Sequence, residues 1–179
     1  GGNIFLMKLN SQGGIEWQKD IFGVNLEYVN GVHQLHNGNF VLGGTTYSYG
    51  SGCWDAFEVM VDSIGNFVWS KAYGEVNCNS ISSFALAHDD GFIAAGEANG
   101  VGWLLKTDQS GALEWSKTYP SNTFNSVKPT ADGGYMAAGS DGSISILKTD
   151  SIGNPIWLKR FLTLPTNTRC YDIIPLDDG

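Results

Sequence analysis

One ten-residue segment recurs four times along the chain. Residues 62–71 read DSIGNFVWSK, and the same spacing returns at 10–19 (NSQGGIEWQK), 108–117 (DQSGALEWSK) and 150–159 (DSIGNPIWLK). In every copy Asn10, Asp62, Asp108 or Asp150 is followed by glycine at +3 (Gly13, Gly65, Gly111, Gly153). Tryptophan follows at +7 (Trp17, Trp69, Trp115, Trp157) and lysine at +9 (Lys19, Lys71, Lys117, Lys159). Fixed spacing repeated at intervals marks tandem structural units. Asp-x-x-Gly suits a type I turn whose glycine takes the left-handed conformation, joining two antiparallel strands through a bulge. The apolar stretches AFEVMVD (56–62) and WLLKTD (103–108) lead into the turn, and NFVWSKAY (66–73) and ALEWSKTY (112–119) leave it as a second strand. Tryptophan and lysine, two apart, share a strand face. The ring reads as a packing wedge between units, and the lysine stem can lie along it with the charge in water.

A second element alternates with the first: NGNFVLGG (37–44), DDGFIAAG (89–96) and DGGYMAAG (132–139), with Asp177-Asp178-Gly179 opening another. Asn-Gly and Asp-Gly before an apolar run are hairpin turns. Each repeat therefore holds four strands, a to d, with turns a–b (Asp-Gly) and c–d (Asp-x-x-Gly). The tryptophans step by 52, 46 and 42 residues (17 to 69 to 115 to 157). Four strands in roughly 40–50 residues describe a β-propeller blade. The fold expected is all-β, a propeller of four-stranded antiparallel blades forming a single repeat domain over 1–179. Its repeats fall near 1–22 (partial), 23–74, 75–119, 120–162 and 163–179 (partial). The strands expected number 2 + 12 + 1, about 3.75 blades. Because the chain starts and stops out of phase with its repeat and does not begin with Met, a fragment of a longer array is expected. A small ring closed by pairing the C-terminal strand a with the N-terminal c and d is the alternative.

Charged residues make up only 16% of the chain and glycines number 24, as suits a turn-rich β protein. The net charge of −8 argues against a nucleic-acid partner, which needs a basic face. Seven of the ten basic residues sit at repeated positions: the four lysines of the tryptophan segment, plus Lys8, Lys106 and Lys148, two before the turn Asn or Asp. They belong to the scaffold. No apolar run is long enough to cross a bilayer, and no signal-peptide pattern is read within these 179 residues.

The tryptophan segment never changes length, but the connection between strands b and c does. It takes 18 residues from Gly44 to Asp62, against 12 (96 to 108) and 11 (139 to 150). In a meander the b–c and d–a connections share one face, and variable loops on a fixed scaffold are where binding concentrates. Tyr47, Tyr49 and Trp54 lie in the long loop and Trp103 starts a strand c. These four are the candidate ligand-binding residues, able to stack on a sugar or anchor a protein. The plainer alternative is that they cover a blade edge.

Cys53 lies in the same loop and Cys78 in the following d–a connection. Both are expected on one face, so a Cys53–Cys78 disulfide is expected, with Cys170 left over. No zinc spacing occurs. His36 and His88 recur four before the aromatic and read as turn-flanking surface residues, with a shared metal as the sharper alternative. The turn residues Asp62, Asp89, Asp90, Asp108, Asp132, Asp150, Asp177 and Asp178 are explained by backbone hydrogen bonding. Calcium, which needs six to eight converging oxygens, is the alternative to that reading; otherwise no cofactor or metal is expected.

The Asp-x-x-Gly-x-x-x-Trp-x-Lys segment with Gly-Gly-Tyr/Phe-x-x-x-Gly resembles the tandem repeats of large secreted or cell-surface β-propeller-like proteins. These are common in gliding and biofilm-forming bacteria of the Bacteroidetes type and are often exported by the type IX route. The resemblance covers nearly the whole chain. It implies an extracellular or cell-surface location, adhesion or display, protein or glycan partners, and no catalytic residues. The segment is also similar to the tryptophan-docking motif of pyrroloquinoline-quinone propellers. That motif has one more residue between Asp and Gly, and those enzymes carry an adjacent Cys pair absent here, so this likeness implies shared packing only. The function expected is a non-enzymatic binding or structural module. The alternatives are a propeller enzyme acting on glycans, which would need off-repeat carboxylates such as Glu27, Glu58, Glu75 and Glu97 to converge, and an architectural spacer.

Overall fold

In the computed structural model of the chain, the residues described are 4–21, 26–48, 50, 53–74, 78–140, 142–161 and 168–176. They form fourteen strands and no helix. The strands β1 (Ile4–Leu9) and β2 (Ile15–Ile21) make a two-stranded hairpin. Next, β3 (Glu27–Gln34), β4 (Phe40–Thr46), β5 (Asp55–Val61) and β6 (Phe67–Tyr73) form a four-stranded antiparallel meander. A second meander holds β7 (Asn79–Leu86), β8 (Phe92–Ala98), β9 (Val101–Thr107) and β10 (Leu113–Tyr119). A third holds β11 (Phe124–Pro129), β12 (Tyr135–Ser140), β13 (Ile144–Thr149) and β14 (Pro155–Phe161). The chain divides into two compact units, residues 1–79 and 80–179.

The turns explain why the strands meet in this register. Asp62 Oδ1 accepts hydrogen bonds from the Ile64 and Asn66 amides at 3.0 and 2.8 Å, and Asn10, Asp108 and Asp150 do the same for their own turns. The glycine at +3 then turns left-handed, with φ of 80°, 81°, 73° and 76° at Gly13, Gly65, Gly111 and Gly153. The ladder slips at the same place in every c–d pair, as a bulge requires. Backbone hydrogen bonding to the Asp62 carboxyl holds its pKa low, against a smaller opposing effect of burial.

Each tryptophan whose following turn lies in the same unit packs upon that turn. Trp17 donates from Nε1 to the Ser63 carbonyl at 3.0 Å and meets Phe40 edge-on at 5.5 Å. A Cβ on Gly65 would lie 2.9 Å from its ring. In the second unit a Cβ on Gly153 would lie 2.8 Å from the Trp115 ring, while Lys117 donates to Asn154 Oδ1 at 2.8 Å and the Tyr119 hydroxyl to the Gly153 carbonyl at 2.7 Å. The turn glycine is thus a socket for the preceding repeat's indole. Lys71 and Lys159 instead lie over their own repeat's rings, 5.7 Å from Trp69 and 5.2 Å from Trp157.

Both units carry an apolar core between sheets. Ile4, Leu6 and Ile21 of the first hairpin cover Leu42, Phe57, Val59 and Val61. In the second unit Ile93, Ala95, Leu104, Phe124, Val127, Ala137 and Leu147 interdigitate, which requires small residues on the b strands. Gly44, Gly96 and Gly139 lie near the ends of those strands, where a Cβ would fall on the carbonyl oxygen of Tyr28, Ser80 or Thr123.

A fifteenth strand was expected near the C-terminus. Among the described residues, 168–176 form no strand. The segment still lies along β11: Asn125 donates to the Cys170 carbonyl at 2.8 Å and the Ser126 hydroxyl to Asp172 at 2.6 Å. The turn at 177–179 lies outside the described residues.

Candidate functional site

The long b–c connection of the first unit joins β4 to β5. Tyr47 and Trp54 meet there edge to face, with centroids 5.1 Å apart and planes at 90°. Trp54 is 39% exposed and Tyr47 half-buried. Cys53 and Cys78 form the expected disulfide, with their Cα atoms 5.3 Å apart. The bridge ties the loop to the d–a connection, so these two connections do share a face. The next residues reinforce it. The Asn79 amide donates to the Trp54 carbonyl at 2.9 Å, and Asn79 Nδ2 to Asp55 Oδ1 at 3.4 Å. Asp55 is buried, and side chains at Gly50 or Gly74 would run into its carboxylate. Trp54 is therefore held by a covalent bridge at Cys53 before it and by hydrogen bonds at its own carbonyl and at Asp55 after it. Two rings set edge to face on a fixed loop offer an apolar platform with polar rims, suited to stacking or anchoring.

The remaining candidates separate from this pair. Tyr49 lies outside the described residues. Trp103 requires correction as a contact residue: it is 4% exposed, and its Nε1 donates to Ser116 Oγ at 2.7 Å. Its strand is buried almost throughout, so its ring fills the sheet interior. Three of the four off-repeat carboxylates take a local partner. Glu58 is buried and accepts the Tyr73 hydroxyl at 2.8 Å, Glu27 accepts the Thr46 hydroxyl at 3.2 Å, and Glu97 accepts the Gly100 amide at 3.1 Å. Glu75 lies outside the described residues. His88 Nε2 sits 2.9 Å from the Thr130 carbonyl, a partner from the neighbouring a–b turn. Among the described residues no three His, Cys, Asp or Glu side chains gather where they could share an ion.

Two features escaped sequence reasoning. Asp55 gives no signal beyond its place after Trp54. A cleft of about 410 Å³ lies in the first unit, with Ile4, Phe57 and Val59 among its apolar walls and Lys19 and Glu27 among its polar ones. It arises from residues far apart in sequence and has no motif.

Three antiparallel four-stranded meanders, with Trp17 and Trp115 each packed on the following repeat's turn, have the fold of the β-propeller class. The solved structures most similar to the chain include a protein of unknown function from Bacteroides caccae, at TM-score 0.61 and 12% identity over 100% of this chain, and the Dos1 propeller, at TM-score 0.59 and 15% identity over 86%. The chain spans 64% of the length of the first and 41% of the second. At such identities the likeness concerns the fold alone. No family model matches the chain, and no curated protein matches it by sequence.

Proposed function

We propose that the chain is a non-enzymatic binding or structural module of an exported cell-surface protein. Its sheets are blades of a propeller, about 3.75 in number and part of a larger propeller or array. Its contact site is the Tyr47–Trp54 platform, and its partner a protein or glycan at the cell surface. The observation that carries this reading is an exposed indole on the longest loop, fixed by a disulfide one residue away. Ordering a loop before contact lowers the entropic cost of binding. A structural disulfide also suits an oxidising, extracellular compartment. The repeated residues serve turns and packing, and the partners of Glu27, Glu58 and Glu97 give these carboxylates structural work.

The test is binding of the purified chain to a glycan array and to cell-surface extracts. Trp54→Ala and Tyr47→Ala are expected to weaken any ligand found by at least about tenfold, as loss of an aromatic anchor does. Turnover of a glycan that is lost on replacing an off-repeat glutamate would establish an enzyme instead. Binding unaffected by both aromatic substitutions would move the site elsewhere.

A further inference from the structure

Four residues after the repeated tryptophans stand Ile21, Tyr73, Tyr119 and Phe161, so the position is aromatic in every copy but the first. In the second unit Tyr119 is buried, its ring lies 6.0 Å from that of Phe124, and its hydroxyl donates to the Gly153 carbonyl at 2.7 Å. The first unit has the same joint, with Trp17 packed on Gly65 as Trp115 is on Gly153. There Ile21 fills less space than a tyrosine and carries no hydroxyl. Its surroundings shrink as well. Val59 and Ser70, paired across β5 and β6, correspond to Leu147 and Leu158, paired across β13 and β14. Ile4 and Phe57 are larger than the corresponding Gly102 and Ser145, but they form walls of the opening and leave it unfilled. The result is the cleft of about 410 Å³, with Ile21, Val59, Gly65 and Ser70 in its lining. That volume is in the range of small-molecule sites.

The cleft is also acidic. Asp20 and Glu27 border it, and the neighbouring Lys19 is engaged with Asn66 Oδ1 at 3.3 Å. Glu27 Oε1 accepts the Thr46 hydroxyl, while Oε2 is buried and receives no hydrogen bond among the described residues. A buried acceptor without a donor is costly. The terminal torsion of a glutamate is soft, so that oxygen can turn to meet a donor in the cleft. We infer that the cleft is a binding site for a small phenolic amine. The ligand's ring takes the place that Tyr119 fills in the second unit, against Ile21 and Val59. Its hydroxyl donates to the Gly65 carbonyl as Tyr119 does to Gly153, and its ammonium meets the Glu27 carboxylate in a charge-assisted bond. The site shares no residue with the Tyr47–Trp54 platform, and its test is independent of that reading.

Tyramine is the probe, titrated into the whole protein by calorimetry. It is expected to bind saturably, one molecule per chain. Phenethylamine, which lacks the hydroxyl, and p-cresol, which lacks the amine, are each expected to bind about tenfold more weakly, as for loss of one hydrogen bond to a desolvated partner. Glu27→Gln should weaken tyramine about tenfold and leave p-cresol unchanged. Ile21→Tyr supplies the ring from the chain itself. It is expected to raise the Tm by filling the cleft and to abolish binding. The ligand series uses the unaltered protein, so it decides the matter even if Ile21→Tyr fails to fold. Absence of saturable tyramine binding would overturn the inference. So would equal affinity for tyramine and p-cresol, or tyramine binding that survives in folded Ile21→Tyr, which would put the ligand elsewhere.

Discussion

Lys106 Nζ lies 2.8 Å from Asp89 Oδ2, and this pair forms across one sheet between a c strand and an a–b turn. Lys106 also donates to the Thr107 carbonyl at 3.0 Å, and its side chain is only 1% exposed. A Cβ on Gly91 would lie 2.6 Å from the ammonium, so glycine is needed beside it. Lys148, Asp132 and Gly134 repeat the arrangement, with the Gly134 position 2.7 Å from Nζ. In the first complete repeat all three positions differ together: Met60, Asn37 and Asn39. The ammonium, its carboxylate and the space it needs are present or absent as a set.

Met60→Lys is therefore expected to destabilise the first unit, by about 3–5 kcal/mol if the buried ammonium finds no carboxylate. Adding Asn37→Asp and Asn39→Gly should recover a substantial part of that loss. Urea denaturation of the single and triple variants measures it. Equal stability of the two would show that the three positions are not coupled.

Two glycines separated by six positions should respond very differently to alanine. Gly139→Ala places a methyl on the Thr123 carbonyl oxygen and is expected to cost about 3 kcal/mol or more, as severe overpacking does. Gly133 has φ +82° with open space around it, so Gly133→Ala meets only the left-handed backbone penalty, about 1–2 kcal/mol. Thermal melts that rank them in reverse would refute this assignment.

Trp115 and Gly153 form a wedge and socket. Trp115→Ala is expected to cost about 3 kcal/mol, near the low end for an aromatic because the ring is half-buried. Gly153→Ala should be costly in the native protein but less so once Trp115 is removed, since part of its penalty is collision with the ring. The residual cost reflects its φ of +76°. A double-mutant cycle reads this coupling, and strict additivity would contradict it.

The turn and surface carboxylates set the acid limit. The Lys148 ammonium first, then the Thr130 hydroxyl and the Gly134 amide, hold the Asp132 carboxyl well below the usual carboxylate range. Burial raises Asp89, but bonds from Lys106 and Gly91 outweigh it and its pKa is lowered. A group depressed on folding adds stability that is fully present above its unfolded pKa, 3.8 for these carboxyls, and that disappears as pH falls through the folded value. Stability should hold steady above about pH 5 and fall progressively below about pH 4. Asp132→Asn should be less stable at neutral pH and show a shallower acid decline. An unchanged acid slope in that variant would remove Asp132 from the account.

Much of the scaffold was legible because turn chemistry is local. Asp62 and Gly65 sit three apart, and that spacing alone announces the bulged hairpin the structure contains. Trp17 and Trp115 were legible as wedges because recurrence at one position implies a recurring neighbour. Trp103 was misread, since a single tryptophan opening a strand looks the same whether its ring points in or out. Only the burial of β9 on both of its faces decides that. Lysine on a strand usually means a solvated face, so the burial of Lys106 was hidden; its recurrence at three of four repeats was the available signal. At the candidate site, Cys53 and Cys78 could be paired from topology, but the edge-on meeting of Tyr47 with Trp54 depends on loop geometry that no spacing encodes.

The segment that carries the indole is also the segment that receives one: Gly65 takes Trp17, and Gly153 takes Trp115. Plug and socket travel on the same ten residues, so every copy comes with both halves of a joint. Duplicating such a stretch yields an extra module with matched ends and asks for no compensating change in its neighbours. Such a lineage is free to lengthen or shorten by whole modules, and to let a loop like 47–54 diverge while the joints stay interchangeable.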